Sequence, residues 1–374
     1  MPLTQSSTEA HVEAKPVLIT RRSLGYCHGS VWFTRARWVG PLLARARARG
    51  ICTGICTGTG MLAMFLLAGC GRDMAPAVTS IQLAPAADKV FLAENQAWRA
   101  QRLKELLKPD GWTSLVGLHW LETKAHSIGS GPGSDIRLAV GPSRLGRIAV
   151  DDDAVWFTPE TAAMLTAEGK PLTGRIRFYS DRDAQPTRIG FDGDKGQLTL
   201  IQRGDRRALR VRHASADARV HFAGLDYWPA DPEWRITAHF VPSAAGNALP
   251  IVDIIGITAD QPHAGTVEFD KNGQHYRLEA IGEPGQPLFV VFADRTSGHG
   301  SYPAGRFLDV AVPDPQGRVV LDFNRAYNPP CAFTAFATCP LPPPENRLDL
   351  EVTAGEKRYQ RPEPQSVGMS GALR

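Results

Sequence analysis

The sequence of 374 residues lacks every short motif that identifies a nucleotide or metal cofactor. It contains no glycine-rich phosphate loop, no dinucleotide fingerprint and no zinc motif in which two pairs of Cys or His combine. It also lacks internal repeats and the alternation of strands and helices that builds parallel sheets. The sequence therefore predicts no cofactor and no metal, and it argues against repeat and doubly wound folds.

Basic residues are not in excess once the first 70 residues are set aside. The whole chain has a formal net charge of +4, but residues 1–70 alone hold eight basic and two acidic side chains. The remainder has 34 basic and 36 acidic residues. This body has no electrostatic footprint for nucleic acid, so we expect no nucleic-acid partner.

The leader has the layout of an export signal. "RARARG" (45–50) precedes the apolar run "ICTGICTGTGMLAMFLLAG" (51–69), which ends at Cys70. "LAGC" resembles the bacterial lipobox, and this resemblance implies acylation and cleavage at Cys70. We expect a chain anchored by lipid in the cell envelope, at the outer membrane facing the periplasm if there are two membranes. The alternative is a plain transmembrane anchor.

Composition divides the chain into five regions. We expect a leader and signal at 1–70, a flexible tether at 71–88, a helix with a first β unit at 89–218, a second β unit at 219–360, and a disordered tail at 361–374. Asp88 is placed to cap the helix and the turn at 109–111 to end it. The helical spacing predicts one apolar side made of Phe91, Trp98, Leu103, Leu106 and Leu107.

The rest of the body reads as short strands separated by Gly, Pro, Asp and Asn about every ten residues. This spacing predicts a mainly β fold, with one N-terminal amphipathic helix followed by two antiparallel sandwich-like or barrel-like units. "FDKNGQHYRL" predicts a hairpin, because Asn272-Gly273 suits a type I′ turn.

Two cysteines remain in the body, Cys331 and Cys339, among the prolines of residues 323–348. In an oxidising compartment they form a candidate disulfide, whose nine-residue loop would contribute about 2–3 kcal/mol. Two alternatives stay open. A zinc site would need further ligands at closer spacing, and a thiolate nucleophile would need a neighbouring base.

Four stretches carry a family resemblance: "WTSLVGLHWL" (112–121), "LDYWPADPEWR" (225–235), "GRFL" (305–308) and "LDFNRAYNPPCAFTAFATCPLPPPENRLDLEVTAGEK" (321–357). On these the chain resembles the bacterial and archaeal family called Domain of Unknown Function 1684. The last of these stretches, residues 321–357, is the most specific and is here named the hallmark segment. The resemblance implies that residues 323–348 within it are the family's hallmark. It implies little about activity.

A fainter resemblance concerns "HSIGSGPGSDIRLAVGPSRLGRI" (126–148), which is similar to the opening of a forkhead-associated β-sandwich. Ser130 stands where that family has its phosphate-reading arginine, and the histidine expected after Ser143-Arg144 is missing. The resemblance implies a similar sandwich and argues against phosphopeptide recognition.

Polar residues of the last third form the candidate binding site. Such side chains beside a rigid loop can line a pocket for a small-molecule or envelope ligand, with Arg325 binding an anion bidentately. The alternative is a structural network, in which Arg325 pairs with Asp322 or Glu345 and asparagines hold proline-rich backbone. The candidate binding residues are Arg306, Asn324, Arg325, Tyr327, Asn328 and Asn346.

Two functions fit these residues. The first is a ligand-binding or structural β module. The alternative is an envelope hydrolase using acid/base residues in 294–346, with Asp322, Glu345 and His299 as the catalytic candidates. The two differ in geometry, because a hydrolase needs these groups to converge on one open cleft.

Overall fold

A computed structural model describes residues 85–152 and 154–361, with side chains from residue 88 onward. The leader, Cys70 and most of the predicted tether and tail lie outside the described residues. Helix α1 spans Pro85–Leu106 and begins three residues before the predicted cap. Proline is favoured at a helix start because its fixed φ suits the first turn, and Asp88 then lies within that turn.

The buried side of α1 is more polar than its apolar spacing predicts. Phe91, Asn95 and Leu106 are buried, whereas Leu103 is 37% exposed. Arg102 lies on the same side as these buried residues and is largely covered. The helix therefore packs through a stripe that includes an arginine and an asparagine, which an apolar count cannot identify.

The first β unit consists of two sheets with one core between them. Its strands are β1 (Leu115–Trp120), β2 (Ala125–Gly129), β3 (Ile136–Arg137), β4 (Gly146–Asp151), β5 (Ala154–Pro159), β6 (Thr166–Ala167), β7 (Lys170–Pro171), β8 (Ile176–Arg177), β9 (Arg188–Phe191), β10 (Gly196–Arg203) and β11 (Arg206–His213). The sheet orders are β1-β11-β10-β9-β6-β7 and β3-β2-β4-β5-β8.

Alternating side chains of both sheets fill that core. Ile148 and Phe157 come from one sheet, and Leu198 and Leu209 come from the other. The pairs are antiparallel except for β2 with β3, which is parallel. A sandwich is therefore present, while the likeness to forkhead-associated domains stays a prediction.

A short helix α2 (Asp217–Val220) precedes the second unit, whose strands form one seven-stranded sheet. They are β12 (Arg235–Pro242), β13 (Ala248–Val252), β14 (Thr258–Lys271), β15 (Gln274–Ile281), β16 (Leu288–Phe292), β17 (Arg306–Val310) and β18 (Arg318–Asp322). The order is β17-β16-β15-β14-β12-β18, and β13 pairs with β14. The β14–β15 hairpin turns at Asn272 and Gly273, both at positive φ as a type I′ turn requires.

The prediction of a mainly β fold with an N-terminal helix is confirmed. The main core of the second unit lies on one face of its sheet and includes Leu278, Leu308 and Val352. A smaller cluster joins Ile281 and Cys339 with Trp112 from the first unit. In the part of the chain that is described, no helix has the length and apolarity needed to cross a bilayer.

Candidate functional site

The carboxylate of Glu356, at the end of the hallmark segment, is completely buried. One oxygen accepts a hydrogen bond from Nε of Arg102 on α1 at 2.9 Å. The other accepts the backbone N–H of Asn328 at 2.8 Å. A buried charge is tolerated when it is paired and hydrogen-bonded, and both oxygens of Glu356 meet that condition.

Arg102 also ties α1 to the hallmark segment. Its Nη2 donates to the carbonyl of Asn328 at 2.9 Å, and its guanidinium lies 4.6 Å from the ring centre of Tyr327. Burial acts to lower the pKa of Arg102, but the charge and hydrogen bond of Glu356 raise it above its ordinary value. Arg102 therefore stays charged, and its bonds hold the helix in place.

Two tyrosines flank this pair. Burial, with the nearby carboxylate of Asp309, raises the pKa of Tyr327 well above its ordinary value, and Arg102 opposes the shift. Burial, followed by Glu356, raises the pKa of Tyr227. The Tyr227 hydroxyl is buried and has no hydrogen-bond partner among the described residues. Both phenols are therefore neutral at ordinary pH and unsuited to act as bases.

Arg306 and Asp294 form a second buried pair, with both side chains inaccessible and Nη2 2.7 Å from Oδ2. Arg306 also donates to the carbonyls of Val352 and Ala354, so it holds the end of the hallmark segment against β17. Burial lowers the pKa of Arg306, while Asp294 counteracts that shift. Because it is enclosed, Arg306 offers no donor to an external ligand.

Asn346 is buried and bonded on both sides of its amide. Its Oδ1 accepts the backbone N–H of Glu279 at 2.6 Å, and its Nδ2 donates to the carbonyls of Glu279 and Val291 at 2.9 Å each. The segment before it is rich in proline, which has no N–H to give to a strand. The Asn346 side chain therefore attaches that segment to β15 and β16.

The side chains of Asn324 and Asn328 are also buried, and they form hydrogen bonds with main-chain groups of other segments. Asn324 exchanges two hydrogen bonds with the main chain of Asp231, at 2.8 and 2.9 Å. Nδ2 of Asn328 donates to the carbonyl of Lys357 at 2.7 Å. These are the contacts of a structural network.

Asp322 lies at the end of β18 between two arginines. Its Oδ2 is 3.0 Å from Nε of Arg235 and 3.3 Å from Nε of Arg325. Arg235 in turn pairs with Glu94 of α1 at 2.8 Å. The side chains of Arg325 and Glu94 remain 36% and 46% exposed, so solvent reaches both of them.

Among the described residues, no hydrogen bond or ion pair joins the other two catalytic candidates to this group. His299 and Glu345 are exposed, and neither side chain makes a hydrogen bond or ion pair with another described residue. Ser301, beside His299 in sequence, is buried and its Oγ accepts from Thr296 at 2.8 Å and from Trp228 at 3.3 Å. Across the described residues, these groups do not assemble into a hydrolytic triad.

Cys331 and Cys339 stand as a disulfide candidate, with Cα atoms 6.2 Å apart and their sulfur atoms in contact. Their loop packs against the first β unit, where Nε of Arg203 donates to the Thr338 hydroxyl at 2.8 Å. In residues 85–152 and 154–361, no group of three His, Cys, Asp or Glu side chains is placed to hold a metal ion. The pairing thus differs from both the zinc and the thiolate alternatives.

Sequence reasoning missed the residues at the centre of this arrangement. Arg102 and Glu356 were not candidates, although Glu356 lies inside the hallmark segment. A usable signal was the helical spacing of Phe91, Asn95, Arg102 and Leu106, which places an arginine on the buried side.

Comparison with known proteins identifies the second unit. The family described as "Protein of unknown function (DUF1684)" matches residues 220–357. A solution NMR structure of an uncharacterized protein from Haloarcula marismortui is 34% identical, and the match covers 37% of this chain and 78% of that chain, with a TM-score of 0.32. No curated protein matches the chain.

Proposed function

The chain belongs to the DUF1684 family, and we propose that it is a non-catalytic β module of the cell envelope, carried at a membrane by a lipid on Cys70. One observation carries the non-catalytic part. Of the polar side chains of the hallmark segment, Asn324, Asn328, Asn346 and Glu356 are buried and bonded to the protein's own backbone or to Arg102. Groups used in this way stabilise a fixed shape.

The chemistry of the buried pairs supports the same proposal. A general base needs an accessible oxygen within hydrogen-bond reach of a substrate proton. Glu356 has both oxygens occupied, and Asp294 is enclosed with Arg306. Asp322 also has both oxygens engaged, because Oδ1 accepts two hydrogen bonds from Asn324 and Oδ2 lies against Arg235 and Arg325.

The envelope location is supported by the leader and by the two late cysteines. The "LAGC" sequence and the apolar run before it are typical of acylated exported proteins. A disulfide persists in an oxidising compartment, and the second unit brings Cys331 and Cys339 together. Both features are expected of a module that functions outside the cytosol.

Mass spectrometry of the full chain, expressed in a bacterium with lipoprotein export, tests the anchor. We expect a mature chain that begins at an acylated Cys70 and sediments with membranes. The Cys70→Ala variant should lose both the acyl mass and the cleavage. An unacylated wild-type chain that remains soluble would overturn the location.

A substrate panel tests the absence of catalysis. The purified protein is assayed with ester, glycan, peptide and phosphate substrates beside the Asp322→Asn and Glu345→Gln variants. We expect no turnover that distinguishes wild type from variants. A turnover that Asp322→Asn abolishes without lowering the melting temperature would instead support the envelope hydrolase.

A further inference from the structure

Four cations converge near the end of the hallmark segment without acidic partners. No carboxylate of the described residues forms an ion pair with these cations. They are Arg99 of α1 and, at the end of the described range, Lys357, Arg358 and Arg361. Many other surface arginines are paired, for example Arg318 with Asp314 at 2.7 Å. We name the four cations, together with Trp228 and Tyr302, the basic patch.

Contacts show that the patch is contiguous. Nη2 of Arg99 donates to the carbonyl of Trp228 at 3.0 Å, and Nζ of Lys357 lies 4.7 Å from the Trp228 ring centre. The backbone N–H of Arg358 donates to the carbonyl of Gly300 at 2.8 Å. A Cβ added at Gly300 would lie 2.7 Å from the indole of Trp228, so this loop touches the ring directly.

Tyr302 completes the patch on its other side. Tyr302 follows Gly300 by two residues, and the carbonyl of Gly300 accepts the backbone N–H of Arg358 at 2.8 Å. Burial raises the pKa of Tyr302, and the positive charges of Arg358 and Arg361 oppose that shift. Nη2 of Arg361 also donates to the carbonyl of Phe333 at 3.4 Å. Cations and the rings of Trp228 and Tyr302 therefore share one surface.

Acidic groups near the patch do not neutralise it. Glu356 and Asp294 are buried and already paired with Arg102 and Arg306. Asp226 is exposed, and its carbonyl accepts the N–H of Lys357 at 2.8 Å. Of these three carboxylates only that of Asp226 is exposed, and none forms an ion pair with the four cations. The body from residue 71 onward has a small negative net charge.

We propose that the basic patch seats the body on the anionic headgroups of the membrane that carries its anchor. Lys and Arg are attracted to an anionic leaflet, and Trp and Tyr prefer the headgroup level. This inference rests on the proposed lipid anchor at Cys70. A chain the length of residues 71–84 reaches at most about 50 Å, so the start of helix α1 stays within that distance of the bilayer.

Vesicle sedimentation tests the proposal with the chain from residue 71 onward, which lacks the lipid and contains both cores and every ion pair described above. The vesicles are phosphatidylcholine alone, or phosphatidylcholine mixed with phosphatidylglycerol. We expect binding to the mixed vesicles only, weakening as salt is added. The combined variant Lys357→Gln, Arg358→Gln and Arg361→Gln should bind about tenfold or more weakly.

A matched control removes three positive charges elsewhere. Arg147, Arg175 and Arg177 are exposed on the first unit, and the last two stack on Trp156 and Tyr179 as Lys357 stacks on Trp228. Their combined change to Gln should leave vesicle binding within about twofold of wild type. Melting temperatures establish that both variants fold.

Three results would overturn the proposal: no binding of the lipid-free chain, an equal loss in both triple variants, or full displacement from vesicles by inorganic phosphate at matched ionic strength. The last result would indicate a soluble phosphate ligand. Mass spectrometry measures the acylation, and vesicle binding measures the basic patch. The proposed anchor and the proposed membrane contact are therefore tested independently of each other.

Discussion

Arg102 and Glu356 are 254 positions apart in the chain, yet Nε of one lies 2.9 Å from a carboxylate oxygen of the other in a largely water-free contact. Removing one partner leaves an uncompensated buried charge, which costs about 3–5 kcal/mol. We therefore expect Arg102→Met and Glu356→Gln each to lower the free energy of unfolding substantially. The double variant should lose less than the sum of the two.

Urea denaturation of the wild type, the two single variants and the double variant measures this coupling. The exposed pair of Lys108 with Glu105 supplies the control, because Lys108→Met should change the unfolding free energy by less than about 1 kcal/mol. Additive effects of Arg102→Met and Glu356→Gln would contradict the pairing.

Substitutions at the neighbouring residues Asn346 and Glu345 should lower the stability of the fold by very different amounts. Asn346→Ala leaves a backbone N–H and two carbonyls of β15 and β16 without their side-chain partner. Each unsatisfied buried group costs about 1–3 kcal/mol, so we expect a loss of at least about 2 kcal/mol. Glu345→Ala, at an exposed position, should fall within about 0.5 kcal/mol of wild type. Equal effects in thermal denaturation would argue against the structural role of Asn346.

Reducing the Cys331–Cys339 pair should destabilise the protein by about 2–3 kcal/mol, because the loop gains freedom in the unfolded chain. The variant with both cysteines changed to Ser should match the reduced wild type and no longer respond to reductant. Thiol labelling under non-reducing, denaturing conditions measures the bond. Two free thiols per chain in protein taken from the envelope would contradict it.

Tyr227→Phe should preserve stability at neutral pH, because the hydroxyl it removes is buried without a partner. At high pH the substitution should make the folded state more stable than that of the wild type. Burial and Glu356 raise the folded-state pKa of Tyr227, whereas the unfolded chain ionises near its ordinary value of about 10. The contribution of Tyr227 to the stability of the fold is therefore fully present below about pH 10 and is lost as the pH rises above that value.

Urea unfolding at about pH 8 and about pH 11 measures that loss. The variant Tyr179→Phe is the control, since Tyr179 is 40% exposed. Equal alkaline losses in wild type and Tyr227→Phe would refute the assignment.

The fold class could be predicted because strands and turns depend on short stretches of sequence. Short alternating runs give strands, and Asn272-Gly273 has the backbone preferences of the turn it forms. The predicted helix start at residue 89 is four residues late, because Asp88 is a preferred cap by residue type. Leu103 was assigned to the buried side because an apolar count gives no weight to Arg102.

The candidate site was harder to predict because its contacts are distant in sequence. The pairing of Arg325 with Asp322 was among the alternatives, since the two are three residues apart. The bonds of Asn346 to β15 and of Arg306 to Val352 depend on how the sheet folds back on itself. Composition gives the types of such groups but not their partners.

The contact between α1 and Glu356 also makes docking of the helix depend on a residue 254 positions later in the chain. A product that terminates before Glu356 keeps Arg102 on an otherwise covered helix face without the carboxylate that pairs with it. Because an unpaired buried charge is costly, we expect the helix of such a product to dock poorly and to be cleaved by proteases more readily than that of a chain that contains Glu356.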